Sequence, residues 1–204
     1  MTEEERFDGL LREQCLTFAD IRGEDSRVLM MHYKLLREWN RRINLTGRAT
    51  LEEAIVRHYA ESLFLACLVP RWVKSVVDVG SGAGFPGFPV AVLRPDVEVT
   101  LVESDQRKAA FLREASDLVR NIHVRCVRAE LLNDKCDGVI GRAVRPTEIV
   151  ATARRVAAWI GILLSRNDAE ALASRIDFHI MALPWNPSSV ALIGTVPRET
   201  LQNR

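Results

Sequence analysis

One stretch of ten residues, Asp78-Val79-Gly80-Ser81-Gly82-Ala83-Gly84-Phe85-Pro86-Gly87, limits the possible folds of this chain more than any other. It follows the β-branched run Ser75-Val76-Val77-Asp78-Val79 and leads into residues 86–94, whose apolar spacing predicts a helix. Glycines spaced two apart let the backbone turn sharply and approach a ligand without Cβ collisions. Pro86 and Pro89 suit a first helical turn, where a missing N–H costs no hydrogen bond. Strand, glycine turn and helix in that order begin a βαβ unit, and in an open parallel sheet that turn lies at the carboxyl ends of the strands, where ligands bind.

The rest of the chain extends this pattern. Further β-branched runs lie at 97–102, 122–127, 138–140 and 160–164, with helical spacing near 106–119 and 147–159. Apolar strands alternating with helices predict a parallel sheet covered on both faces. Two more strands, near 176–183 and 189–195, are expected to form an antiparallel hairpin at the sheet edge, turning at Trp185-Asn186-Pro187-Ser188. Residues 1 to about 70 read as helices: Leu10, Leu11, Cys15, Phe18 and Ala19 recur at helical spacing. So do Val28, Met31, Leu35, Leu36, Trp39 and Ile43. The expected class is α/β, with an N-terminal helical cap over 1–70 on a Rossmann-like unit over 71–204. No Gly-Pro linker separates the two, so one compact unit is expected. At 204 residues the chain is long enough to bury a core without metal or disulfide support.

Charge and cysteines narrow the classes of partner. With 28 basic and 27 acidic residues the net charge is +1, so any nucleic acid must meet a local patch. Of the bases, 24 are arginine, first of all a coding bias. Cys15, Cys67, Cys126 and Cys136 form no C-x-x-C and cluster with no histidine, so metal-ligand spacing is absent and reduced, packed thiols are expected. The acidic start Met1-Thr2-Glu3-Glu4-Glu5 lacks a signal peptide's basic and apolar regions. The longest apolar run, Leu63 to Val69, is far short of the ~20 residues that span a bilayer. A cytoplasmic protein with no membrane partner is expected.

Glu103 closes the second predicted strand, 21 residues after Gly82. An acid at that offset accepts hydrogen bonds from ribose hydroxyls. Ala129-Glu130 follows the third strand, where a turn can hold an adenine edge. Together the three strand ends predict an adenosine pocket; the bland alternatives are a tight connection at the glycines and a solvated acid at Glu130. The G-x-G-x-G spacing with Asp78 just ahead favours S-adenosylmethionine over a dinucleotide. Asp78 would order the loop and approach the ammonium of the methionine moiety. The only tyrosines, Tyr33 and Tyr59, precede the loop, which removes a later Tyr-x-x-x-Lys dehydrogenase pair.

Several motifs in the same order resemble one family. They are Asn40-Arg41-Arg42-Ile43-Asn44-Leu45-Thr46, Arg57-His58 with Glu61-Ser62-Leu63, the Asp78–Gly87 loop with its Gly-Phe-Pro-Gly ending, Glu103-Ser104, Lys108 with Phe111-Leu112, and Arg142-Ala143. Together they resemble the glucose-inhibited division protein B family of bacterial 16S ribosomal RNA guanine-N7 methyltransferases. The resemblance implies a class I S-adenosylmethionine-dependent methyltransferase fold with a helical cap. It also implies donor contacts from Gly80, Phe85, Ala129, Glu130 and Arg142, beside Gly82, Gly84 and Glu103 of the loop and ribose site. The partner it implies is 16S ribosomal RNA or the small ribosomal subunit. Alternatives are a same-fold methyltransferase acting on another RNA or a small molecule, and a non-catalytic RNA-binding relative.

N7 of guanine is a nucleophile with no proton to lose, so no general base is expected and no catalytic acid–base residue is assigned. Positioning would do the work. Between Ser26 and Ala60, seven bases (Arg27, Lys34, Arg37, Arg41, Arg42, Arg48, Arg57) face three acids (Glu38, Glu52, Glu53), a local +4 suited to phosphates. On the substrate side the candidates are Asn40, Arg41, Arg42, Asn44 and His58. The plainer readings are a solvated helix face, a helix-end brace from Asn40 and Asn44, and a structural His58. Trp39 and Tyr59 have rings able to stack on a base, but at helical spacing such residues are more often core.

Overall fold

The structure, a computed structural model, describes residues 1–47, 49–142, 145–173 and 178–197. Strands β1 (Ser75–Val79), β2 (Glu98–Val102), β3 (Ile122–Arg125), β4 (Gly138–Arg142) and β5 (Trp159–Ser165) run parallel, and β6 (Phe178–Leu183) and β7 (Asn186–Thr195) form an antiparallel hairpin against β5. The sheet order is β3-β2-β1-β4-β5-β7-β6. From β1 the chain steps outward to β2 and β3, then returns to β4 on the other side. The switch point therefore lies between β1 and β4, where an open α/β sheet has its crevice.

Period-two alternation assigns the strand residues to the two faces. Val76 packs with α5 (Gly87–Leu93) and α6 (Gln106–Ser116); Val77 and Val79 pack with α7 (Pro146–Val156) and α8 (Arg166–Ala173). The N-terminal helices, α1 (Glu3–Cys15) and α2 (Gly23–Trp39), cover the α5–α6 face. A third cap segment begins as α3 (Leu51–Ala54), passes through a π-helical stretch (Ile55–Ala60) and ends as α4 (Glu61–Leu68). Phe7, Leu29, Tyr59 and Leu63 of these helices share one continuous core with Phe88, Leu101 and Phe111. Helix starts follow local chemistry. Thr2 with Glu5 and Thr50 with Glu53 form capping boxes, and Asp105 caps α6 through the N–H groups of Arg107 and Lys108.

Some boundaries and faces differ from the sequence reading. On α2 the buried stripe is Leu29, Met30, Tyr33 and Leu36, whereas Met31 is exposed, because the cap packs on α5 through the neighbouring face. The edge hairpin turns at Pro184-Trp185, not over 185–188. Trp185 stacks on Phe18 at 5.1 Å, which draws the turn onto the cap, and Asn186 spends its side chain on Glu61 and Ser189. Helix α8 was not expected. Cys67 is exposed rather than packed; Cys15 and Cys136 are buried. Arg48, Ala143 and the predicted start of the 176–183 strand lie outside the described residues. Among the described residues no helix is long and apolar enough to cross a membrane.

Candidate active site

Gly80, Gly82 and Gly84 have φ of 70°, 55° and 83°, the left-handed region that L side chains avoid. That conformation turns the chain off β1 and ties it to β2. The N–H groups of Gly80 and Ser81 both donate to the Val102 carbonyl, at 2.9 and 3.0 Å. The Ser81 hydroxyl donates to the Asp78 carbonyl and accepts from the Val102 N–H. Glu103 then receives the Gly82 N–H on Oε2 (3.1 Å) and the Asp105 N–H on Oε1 (2.9 Å). These bonds fix the carboxylate, and each oxygen keeps an acceptor site free for a hydroxyl.

Two clefts meet at Gly80 and Glu103. One, of about 220 Å³, is lined by Val79, Val102, Ser104, Val127, Arg128, Ala129, Glu130 and Glu148 in addition to the shared pair. The turn Ala129–Leu131 on its rim is held by Arg155 of α7, which donates to the carbonyls of Ala129 (2.7 Å) and Leu132 (3.0 Å). The other, of about 290 Å³, is lined by Leu45, Thr46, Gly47, His58, Ser81, Gly82, Ala83, Phe85, Lys108 and Arg142 with the shared pair. A Cβ on Gly82 would have nothing nearer than the Gly80 carbonyl at 3.8 Å, so the space beyond it is open.

Arg142, at the end of β4, is gripped by the cap. It donates to the Arg57 carbonyl and to His58 Nδ1 (3.2 Å), and it pairs with the buried Glu61 at 3.5 Å. Asn186 donates to the other Glu61 oxygen at 3.0 Å. Burial pushes the Glu61 carboxyl up, with Arg142 and Asn186 opposing it. A guanidinium has no acceptor, so His58 Nδ1 is a lone pair. Burial, and then the charges of Arg142 and Arg57, hold His58 near pKa 4, so its ring is neutral at physiological pH. The ring stacks on Phe85 with centroids 5.1 Å apart. This gives the π-helical stretch a physical role. It offers the Arg57 carbonyl to Arg142, His58 to the cleft and Tyr59 to the core; such stretches often mark functional sites.

The site residues predicted from sequence fall into three groups. Gly80, Gly82, Phe85, Glu103, Arg142 and His58 line the larger cleft, and Ala129 and Glu130 line the smaller with Gly80 and Glu103. Asp78 and Gly84 line neither. Of the two tasks expected of Asp78, only the ordering contact is present. Its position in β1 points it, like Val76, beneath α5, where Oδ2 accepts the Gly87 N–H at 3.0 Å. The carboxyl is wholly buried, which raises its pKa to about 7 despite that bond. Gly84 faces the cap: a Cβ there would lie 3.3 Å from His32 Nε2.

Asn40 braces the third group. Its Oδ1 accepts the N–H groups of Leu45 and Thr46, which holds the cleft-lining segment 45–47 in place. Asn44 is exposed and lines neither cleft. Arg41 and Arg42 lie on a separate surface hollow with Lys34 and Arg37. Acids on α1, which the local charge count left out, pair with this patch: Glu4 with Lys34 and Glu3 with Arg37. Glu38 pairs with Arg42, whereas Arg41 has no ion-pair partner among the described residues. Sequence alone places Glu61 in a family-like motif and Asn186 in the hairpin turn without giving either a role, and it singles out neither His32 nor Arg155; the contacts that matter, to Arg142, Glu61, Ala83, Tyr59, Ala129 and Leu132, reach 23 to 125 positions along the chain. Among the described residues no group of three or more His, Cys, Asp or Glu side chains is placed to hold a metal ion.

Strand order, a glycine turn at the switch point and an acid closing β2 define a Rossmann-like methyltransferase fold. A putative RNA methyltransferase from Pyrococcus horikoshii shares it with a TM-score of 0.55 and 16% identity, over 85% of this chain and 98% of that one. The 23S rRNA methyltransferase ErmE shares it with a TM-score of 0.55 and 16% identity, over 70% and 69%. At such identity the likeness is one of fold. The chain belongs to the GidB family, rRNA small subunit methyltransferase G, which it matches over residues 25–167. It is 45% identical over 128 residues to the ribosomal RNA small subunit methyltransferase G of Paracoccus denitrificans, covering 61% of this chain and 66% of that protein. With its namesake from Clostridium perfringens it shares 37% over 153 residues, covering 72% and 61%. The chain thus spans less than two thirds of the length of either relative.

Proposed function

We propose that this chain transfers a methyl group from S-adenosyl-L-methionine to N7 of a guanine in 16S ribosomal RNA. In this reading it acts in the cytoplasm, on that RNA or on the small ribosomal subunit. One observation carries the proposal: Glu103, pinned by the Gly82 and Asp105 amides, stands between two clefts at the carboxyl ends of β1 and β2, in a chain of this family.

The residues present fit the donor. Glu103 keeps acceptor capacity for the ribose hydroxyls, the smaller cleft with Ala129 and Glu130 suits an adenine, and the open side of Gly82 leaves room for the methionine moiety beside Gly80, Phe85 and Arg142. Asp78 and Gly84 hold the loop from behind. When bound, the donor supplies a methyl group activated by its sulfonium. The chain then has to orient the base and exclude water, because the N7 lone pair needs no base to free it. His58 and the 45–47 segment braced by Asn40 form the wall on the acceptor side. Arg41 and Arg42, with Asn44 beside them, would meet phosphates, and residues 1–70 would serve as a cap on a 71–204 catalytic unit. The test is transfer of labelled methyl from the donor to small ribosomal subunits. Label in 16S RNA is expected. Label on a different RNA or a small molecule would move the acceptor to the same-fold alternative, and donor binding without any transfer would refute the enzyme.

A further inference from the structure

His32 lines neither cleft, yet its ring is set among the rings of Tyr59, Phe85, Phe88 and Phe111. It lies wholly buried on α2. Its Nε2 is 3.1 Å from the Ala83 carbonyl and its Nδ1 is 2.8 Å from the Tyr59 hydroxyl. A carbonyl only accepts, so Nε2 carries the proton and donates to Ala83. In the neutral ring Nδ1 is then a lone pair, and the Tyr59 O–H donates to it. Burial keeps the ring neutral, with a pKa near 3.

We infer that His32 is a positioning residue for the donor loop: its Nε2–H holds the Ala83 carbonyl, and the relay Tyr59–His32–Ala83 fixes the glycine turn from the cap side. This rests on the reading of that turn as the donor site. Three observations separate the role from plain core packing. Ala83 sits between Gly82 and Gly84, both at positive φ, so its carbonyl direction is set by a left-handed turn that ordinary core packing does not require. Among the described residues the other hydrogen bonds of residues 80–85 stay within the α/β layer, with Val102, Glu103, Asp78, Phe88 of α5 and the loop itself. Among the described residues His32 is the only side chain of the cap that bonds to the loop. The imidazole also buttresses the loop sterically. It lies 4.2 Å from the Phe88 ring, stacked, and 5.3 Å from Phe85, edge-on, while Gly84 leaves room for its Nε2. Losing the donor would leave a buried carbonyl unpaired at the point where the loop meets its ligand.

Calorimetric titration of the full chain with S-adenosylmethionine tests this, together with methyl transfer to small ribosomal subunits. His32→Phe keeps ring and volume but loses both bonds; His32→Gln offers a donor and an acceptor at similar reach; Tyr59→Phe removes only the second link. The prediction is that His32→Phe weakens donor affinity by roughly tenfold or more, about one hydrogen bond. It should raise the donor KM while kcat at saturating donor stays within about threefold. His32→Gln should restore affinity to within about threefold of the parent, and the Tyr59→Phe effect should shrink when His32 is already Phe. Parent-like donor affinity in a folded His32→Phe, or equal losses in His32→Phe and His32→Gln, overturns the inference. Failure of the parent itself to bind the donor overturns the donor-site reading instead. If His32→Phe does not fold, the His32→Gln and Tyr59→Phe titrations decide: the relay predicts a smaller loss for Gln than for the tyrosine change.

Discussion

Position 82 needs glycine for two reasons. Its φ of 55° disfavours any L side chain, and the space outside its Cα opens into the larger cleft. Gly82→Val would add roughly 1–2 kcal/mol of backbone strain and fill that space. The expected outcome is a folded variant that shows no heat of S-adenosylmethionine binding; parent-like affinity would remove the cleft from the account. Titration gives a second prediction at this scale. His32 and His58 have folded pKa values near 3 and 4, below the ~6.5 of an unfolded chain. The unfolded state therefore binds more protons in that window, and the stability from both neutral rings is complete above ~6.5 and lost as pH falls. Asp78, near 7 in the fold against ~3.9 unfolded, works with the opposite sign between those values. Urea unfolding of the parent should show stability declining from pH 6.5 to 4.5, and His32→Gln should flatten that decline; an unchanged slope would contradict a buried neutral His32. The glycines and Glu103 were legible from sequence because local backbone rules demand them. The burial of Asp78 was not, since it depends on α5 closing over β1, and neither was the partner of His32, 51 positions away.

At the level of elements, legibility followed the range of the interactions. The parallel strands and their helices could be read from composition and period because each is dictated by residues within a few positions. The π-helical stretch 55–60 carries no such mark: a uniform apolar period runs through it, and its geometry serves distant contacts with Arg142, Phe85 and His32. The edge hairpin was expected, but its turn was displaced by the packing of Trp185 on Phe18 and Phe64. The basic face of α2 was legible as charge but not as free charge, since acids of α1 pair with Lys34 and Arg37. Arg41, without an ion-pair partner among the described residues, and Arg42, paired only with the exposed Glu38 one turn before it, are thus the sharper probe. Arg41→Glu combined with Arg42→Glu should weaken binding of small ribosomal subunits by at least about tenfold at low salt, reduce the salt slope by about two, and spare donor affinity. Equal subunit affinity would take this face out of the RNA path.

Across the whole molecule, cap and sheet share one core from Phe7 to Ala191, and that continuity gives the site its form. The residues proposed to hold the donor come from the carboxyl ends of β1, β2 and β4 and the turn after β3, whereas His58, Glu61 and the 45–47 segment come from the cap, and Arg142 bridges the two. The proposed methyl transfer to a base would use such an arrangement, with one layer holding the donor and the other shaping the acceptor side. The most direct measurement is site-resolved mapping of N7-methylguanine in 16S ribosomal RNA, from small subunits incubated with the purified chain and S-adenosylmethionine. Methylation at guanine N7 in that RNA, absent with Gly82→Val, is the expected result; methyl groups found only on other atoms, or on no ribosomal RNA at all, would contradict the proposed function.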